Sequence, residues 1–74
     1  MGRMHLLNHT GHTTLTWDLL DQASIDAAVA EFERQLDGGL FPFRRDSPGG
    51  AAQRIDTFDP TAEEILWLSP LQGG

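Results

Sequence analysis

The spacing of apolar and polar positions changes along this chain, and each change marks a structural element. Met4 to Asn8 and Thr13 to Trp17 flank a turn-like His9-Thr10-Gly11-His12, and in the second run Leu15 and Trp17 alternate with Thr14 and Thr16. Alternation around a glycine turn predicts a β-hairpin with Leu15 and Trp17 inward and the threonines outward. From about Ser24 to Leu36 the period lengthens. Ile25, Val29, Phe32 and Leu36 fall on one stripe of a helix, while Asp26, Glu31, Glu33 and Arg34 lie off it. Asp21 or Ser24 can cap that helix, Asp26 suits the positive end of its dipole, and Gly38-Gly39 supplies a left-handed stop.

Leu40 to Arg45 reads as extended, and Pro42, lacking an N–H, predicts an edge or an irregularity there. Asp46-Ser47-Pro48-Gly49-Gly50 is a turn, after which Gln53 to Phe58 is expected to pair back. Asp59-Pro60 breaks that run, and Thr61 to Glu64 reads as one helical turn capped by Asp59 with Pro60 at its first position. Ile65-Leu66-Trp67-Leu68 is the most apolar run and predicts a central strand, one face of which is core and the other exposed or partly covered. Ser69-Pro70 ends it. The expected architecture is a two-layer α+β domain over residues 1–70, a β-hairpin followed by a helix packed on a mixed four- to five-stranded sheet, with residues 71–74 as a flexible tail.

Composition narrows the function classes. At 74 residues a single small core is all that is expected, and a cleft with a lid would consume much of it. There is no cysteine, which removes disulfides, thiolate metal sites and cysteine nucleophiles. No apolar stretch approaches the roughly 18 residues of a membrane span, and Met1-Gly2-Arg3-Met4 does not open a signal peptide, so a cytoplasmic protein without a membrane partner is expected. A formal charge of −6 argues against nucleic acid. All the basic residues are arginines, leaving the N-terminus as the chain's primary amine.

The order hairpin, helix, strands, final strand and Gly73-Gly74 resembles the ubiquitin-like β-grasp proteins over nearly the whole chain. Ser69-Pro70-Leu71-Gln72-Gly73-Gly74 is similar to the proline-containing tails of β-grasp sulfur carriers. The segment from Pro42 to Phe58 matches no particular member, so the resemblance is to the group, in its bacterial or phage-type form. It implies a protein modifier rather than an enzyme. The Gly74 carboxylate would be activated by an E1-like adenylating enzyme and passed, through an E2-like conjugating enzyme, to a target protein, with a deconjugating protease reversing the step. Glycine suits that chemistry because a residue without Cβ enters a narrow groove and leaves its carbonyl open to a nucleophile. Gly73 gives clearance, and Leu71 and Gln72 would be read by the partner. The resemblance also implies a recognition surface on the sheet, formed by Ile65 with Trp67 or Leu66 with Leu68, extended by Phe41 and Phe43. Without lysine the chain is a donor or single-unit modifier. The alternatives are a sulfur carrier ending in a thiocarboxylate and a non-conjugated interaction module.

Other constellations carry less. His5, His9 and His12 have ligand-like spacing but fall in a hairpin, so no metal or other cofactor is expected. Arg44-Arg45 reads as solvated charge before a turn. Asp56, Asp59, Glu63 and Glu64 sit near turns, as caps do, and Ser47 and Ser69 lack the partners of a nucleophile.

Overall fold

The computed structural model describes residues 1–8, 11–47 and 49–69. Five strands and one helix follow in the order β1 (Gly2–Asn8), β2 (Gly11–Trp17), α1 (Gln22–Asp37), β3 (Phe41–Arg45), β4 (Gln53–Arg54) and β5 (Glu64–Leu68). The strands form one mixed sheet in the order β2-β1-β5-β3-β4. β1 and β5 run parallel at its centre, with Arg3 beside Glu64 and Met4 beside Ile65, and the other pairings are antiparallel.

The hairpin forms as its alternation predicts, with each strand two residues longer at one end. Trp17 is buried and Leu15 packs against the core, while Thr14 and Thr16 are exposed. Gly2 opposes Trp17 across the hairpin, and a Cβ there would collide with the Trp17 indole and the Ala62 carbonyl. Only glycine fits that approach.

Helix α1 is capped by Asp21, whose carboxylate accepts from the amides of Ala23 and Ser24 at 3.1 and 3.4 Å. Asp26 lies beyond the first turn, and its carboxylate accepts instead from the Gln22 side chain. At the other end the amides of Gly39 and Leu40 donate to the carbonyls of Leu36 and Gln35, and Gly39 adopts φ +91°. That pair of bonds is a Schellman stop with Gly39 at its left-handed position. Of the predicted stripe, Phe32 is fully buried, whereas Ile25, Val29 and Leu36 are half-buried and Ala28 takes the most enclosed position.

The core joins Met4, Leu6, Trp17, Ala28, Phe32, Ala62, Ile65 and Trp67. Phe58 meets Trp17 and Phe32 edge-on at ring separations of 4.8 and 5.8 Å, and Phe32 meets Trp67 at 5.0 Å. The Trp17 indole N–H donates to the Pro60 carbonyl at 3.0 Å, so its polar edge is satisfied inside the core.

The structure corrects the sequence reading in three places. β3 is not an edge strand, since it lies between β5 and β4. Pro42 is tolerated because the N–H and C=O of one strand residue point the same way. Its carbonyl accepts from Ile55 on the β4 side, so the missing N–H falls where β4 leaves the sheet and costs β5 nothing. β4 is two residues long instead of running to Phe58, because Ile55 and Phe58 turn inward to pack on the core. Thr61 to Glu64 is not helical. Asp59 holds a turn, its carboxylate accepting from the Thr61 amide and hydroxyl and its carbonyl from the Ala62 amide, and β5 already begins at Glu64. No helix among the described residues is long and apolar enough to cross a membrane.

Candidate functional site

Pairing register sorts the side chains of the last strand. Ile65 and Trp67 lie under the helix and are buried, while Leu66 is half-buried and Leu68 is 52% exposed on the opposite face. Of the two pairs weighed for surface recognition, Leu66 and Leu68 therefore face outward. Directly paired residues of antiparallel strands share a face. Phe41 opposite Leu68 and Phe43 opposite Leu66 thus complete an apolar patch on the uncovered side of the sheet. Arg54, paired with Phe43, lays its guanidinium over the Phe41 ring at 4.1 Å.

Beside this patch, on the same face, sits a charge cluster built from three strands. Glu64 accepts from His5 Nε2 at 2.8 Å and from Arg45 Nε at 2.8 Å, and Arg3 Nε lies 3.7 Å away. Hydrogen bonds from His5, and next from Arg45, hold the Glu64 carboxyl below the usual glutamate range. Arg45 is accordingly not solvated charge. Arg44, on the helix side of β3, pairs with Asp59 and with Asp46, tying the turn after β3 to the turn before β5. Asp59 is held below the ordinary aspartate range chiefly by its two bonds from Thr61, and less by Arg44.

The outer face is therefore half apolar and half ionic. Among the described strand side chains on it, Arg3, Arg45 and Arg54 stand against one carboxylate, Glu64, on a chain whose overall charge is −6. Such a surface can bury large apolar groups and attract an anionic flank.

A second concavity runs along the helix. It has a volume of about 400 Å³ and is lined by Ile25, Val29, Phe32, Leu36, Phe58 and Pro60, with Glu33 and Asp56 at its lip. Leu71, Gln72, Gly73 and Gly74 lie outside the described residues, as do His9 and the side chain of His12. Among the described residues no group of three or more potential ligands could hold a metal ion.

The two-residue spacing of Phe41 and Phe43 and the run at Ile65 point to an apolar patch but leave open whether Ile65 with Trp67 or Leu66 with Leu68 belongs to it. Sequence reasoning missed the Glu64 cluster. His5 and Glu64 are 59 positions apart and Arg45 and Glu64 are 19 apart; the parallel β1–β5 pairing brings the first two together and the antiparallel β3–β5 pairing the second two. No family model, curated protein or solved structure matches the chain.

Proposed function

We propose that this chain is a ubiquitin-like β-grasp protein modifier. Gly74 carries the acyl group that a partner adenylating enzyme activates, and the outer sheet face is where conjugating enzymes and targets dock. The observation that carries the reading is topological. One helix is held across a mixed sheet whose first and last strands run parallel at its centre, and the chain leaves that central strand five residues before Gly73-Gly74. That arrangement supports a compact body whose last strand is followed within a few residues by the diglycine. The apolar patch at Leu66 and Leu68 is on the strand that feeds the tail, so one partner can hold the body and draw in the glycines together.

The chemistry asks little of the body itself. Adenylation needs a free carboxylate at Gly74 and a narrow groove on the enzyme, which a residue without a side chain can enter. The charge of −6 and the absence of lysine suit a chain that is transferred and is not itself a lysine acceptor.

The test is recovery of an N-terminally tagged chain from its host under denaturing conditions, followed by intact and peptide mass analysis. The expected result is a target peptide joined through an amide or ester to Gly74, lost when Gly73-Gly74 is removed. A mass gain equal to sulfur replacing oxygen would instead establish the sulfur carrier. Recovery of the unmodified chain alone, with biological activity surviving the deletion, would leave only the interaction module.

A further inference from the structure

The loop between β2 and α1 displays large apolar side chains without covering them. Leu20 is 95% exposed and Leu19 is 51% exposed. This loop is nonetheless tightly built. The Leu20 amide donates to the Asp18 carboxylate and the Asp21 amide to the Asp18 carbonyl, both at 2.9 Å. Ser24 Oγ accepts from the Asp18 amide at 2.9 Å and donates to the Asp21 carbonyl at 2.8 Å, locking the loop to the helix start. Exposed leucines on a fixed turn lose little conformational freedom on binding, which favours a role as an anchor. Asp18 and Asp21 flank them, and neither is ion-paired within the described residues.

The complement of this knob lies on the same molecule. The outer sheet face offers an apolar surface at Phe41, Phe43, Leu66 and Leu68 with an excess of arginine over carboxylate around it. The turn and the patch cannot meet within one copy. The turn follows Trp17, at the end of the sheet where β1 and β5 begin, and leads into the helix layer. Phe41 and Leu68 lie at the other end, where β5 finishes, on the face away from the helix.

We propose that the chain associates head to tail, the Leu19-Leu20 turn of one copy seated on the outer sheet face of the next. Apolar groups meet apolar groups, and the carboxylates of the turn, which accept from backbone amides but from no cation within the described residues, face the arginines of the patch. The contact is heterologous, so a pair leaves one copy's patch and the other copy's turn unsatisfied, and assembly continues past the dimer unless it closes into a ring. The area is small, and overall like charge opposes approach, which places the contact among weak encounters burying less than about 1,200 Å². Docking of a copy would cover the patch that the proposed enzymes need. The association itself does not rest on the diglycine chemistry.

The test is sedimentation equilibrium of the full chain at increasing concentration, up to about 1 mM, the weak end of measurable affinity. Weight-average mass should rise above the monomer without stopping abruptly at the dimer unless a ring closes. Leu20→Ser and Leu68→Ser, both at exposed positions and neutral in charge, should each weaken association at least about tenfold, the worth of one buried leucine. An equimolar mixture of the two variants should recover a two-chain species, since one retains the patch and the other the turn. A wild-type chain that stays monomeric throughout overturns the proposal. So does a mixture that stays monomeric when both variants keep the wild-type circular dichroism spectrum.

Discussion

The two faces of β5 come from one run of four apolar residues, yet they are held by different forces. Toward the helix, Ile65 and Trp67 are enclosed by Met4, Phe32 and Ala28, and no polar or charged residue is buried among the described residues. Toward the open side, Leu66 and Leu68 have cross-strand partners but no covering layer, and the same strand's Glu64 is held by cations from β1 and β3. The inner face is cemented by burial. The outer face is a surface kept in order by pairing and charge. What separates them is the helix: its stripe covers one side of the sheet and leaves the other for contact with something else. Substitutions should therefore affect stability strongly on the inner face and contact behaviour on the outer one.

Phe32→Ala tests the inner face and should have the largest effect. Phe32 is fully buried and bridges Phe58 and Trp67, so the change leaves a cavity in the middle of the aromatic cluster. The expected loss is about 3–5 kcal/mol. For a domain whose core supplies only about that much net stability, the variant should be largely unfolded at 25 °C. Urea titration with tryptophan fluorescence measures this directly, since Trp17 and Trp67 report the same core. A cooperative wild-type-like transition would mean that the helix does not pack on the sheet as described.

Glu64→Gln tests the ionic half of the outer face. It removes the carboxylate that pairs with Arg3 and Arg45 and accepts from His5, and a loss of about 1–2 kcal/mol is expected, between that of exposed and fully buried pairs. The pH dependence has a definite sign. Glu64's carboxyl titrates lower in the folded chain than the ordinary value of about 4.5. Its contribution is therefore complete above that value and disappears as pH falls through the folded one. Chemical denaturation from pH 6 to about pH 3 should show stability falling for the wild type and falling less for the variant. Asp59 adds to the decline in both proteins, since its carboxyl is lowered too.

Sequence periodicity was sufficient wherever neighbours in the chain decide the structure. The hairpin, the helix with its glycine stop, and the last strand all follow from local alternation, stripe and turn chemistry, while of the two caps offered, Asp21 and Ser24, the structure uses Asp21. What failed depended on distant contacts. Ile55 and Phe58 look like strand residues, and only the aromatic cluster formed with Trp17 and Phe32 turns them inward and shortens β4. Pro42 marks an edge by its missing N–H, but which side that gap faces depends on where β4 departs. The apolar patch was half legible: Phe41 and Phe43 share a face by spacing, but the β3–β5 register decides that Leu66 and Leu68 join them, and the helix decides that this face is the open one. The Glu64 cluster had no local signal at all.

Leu68→Ser should change stability least, and that small value is informative. Leu68 is the last residue of β5 and is half exposed, with Phe41 as its cross-strand neighbour. Removing its side chain gives up some contact with that ring but leaves no cavity, because water already reaches the position. An exposed site of this kind is expected to shift folding free energy by no more than about 0.5 kcal/mol, read by urea denaturation at concentrations too low for association. A much larger loss in dilute solution would mean that Leu68 is enclosed within the single chain, and the outer face would then not be free for contact. A negligible loss, coupled to weakened self-association of the same variant at high concentration, would separate the two roles on one residue. Folding would not need Leu68, and recognition would.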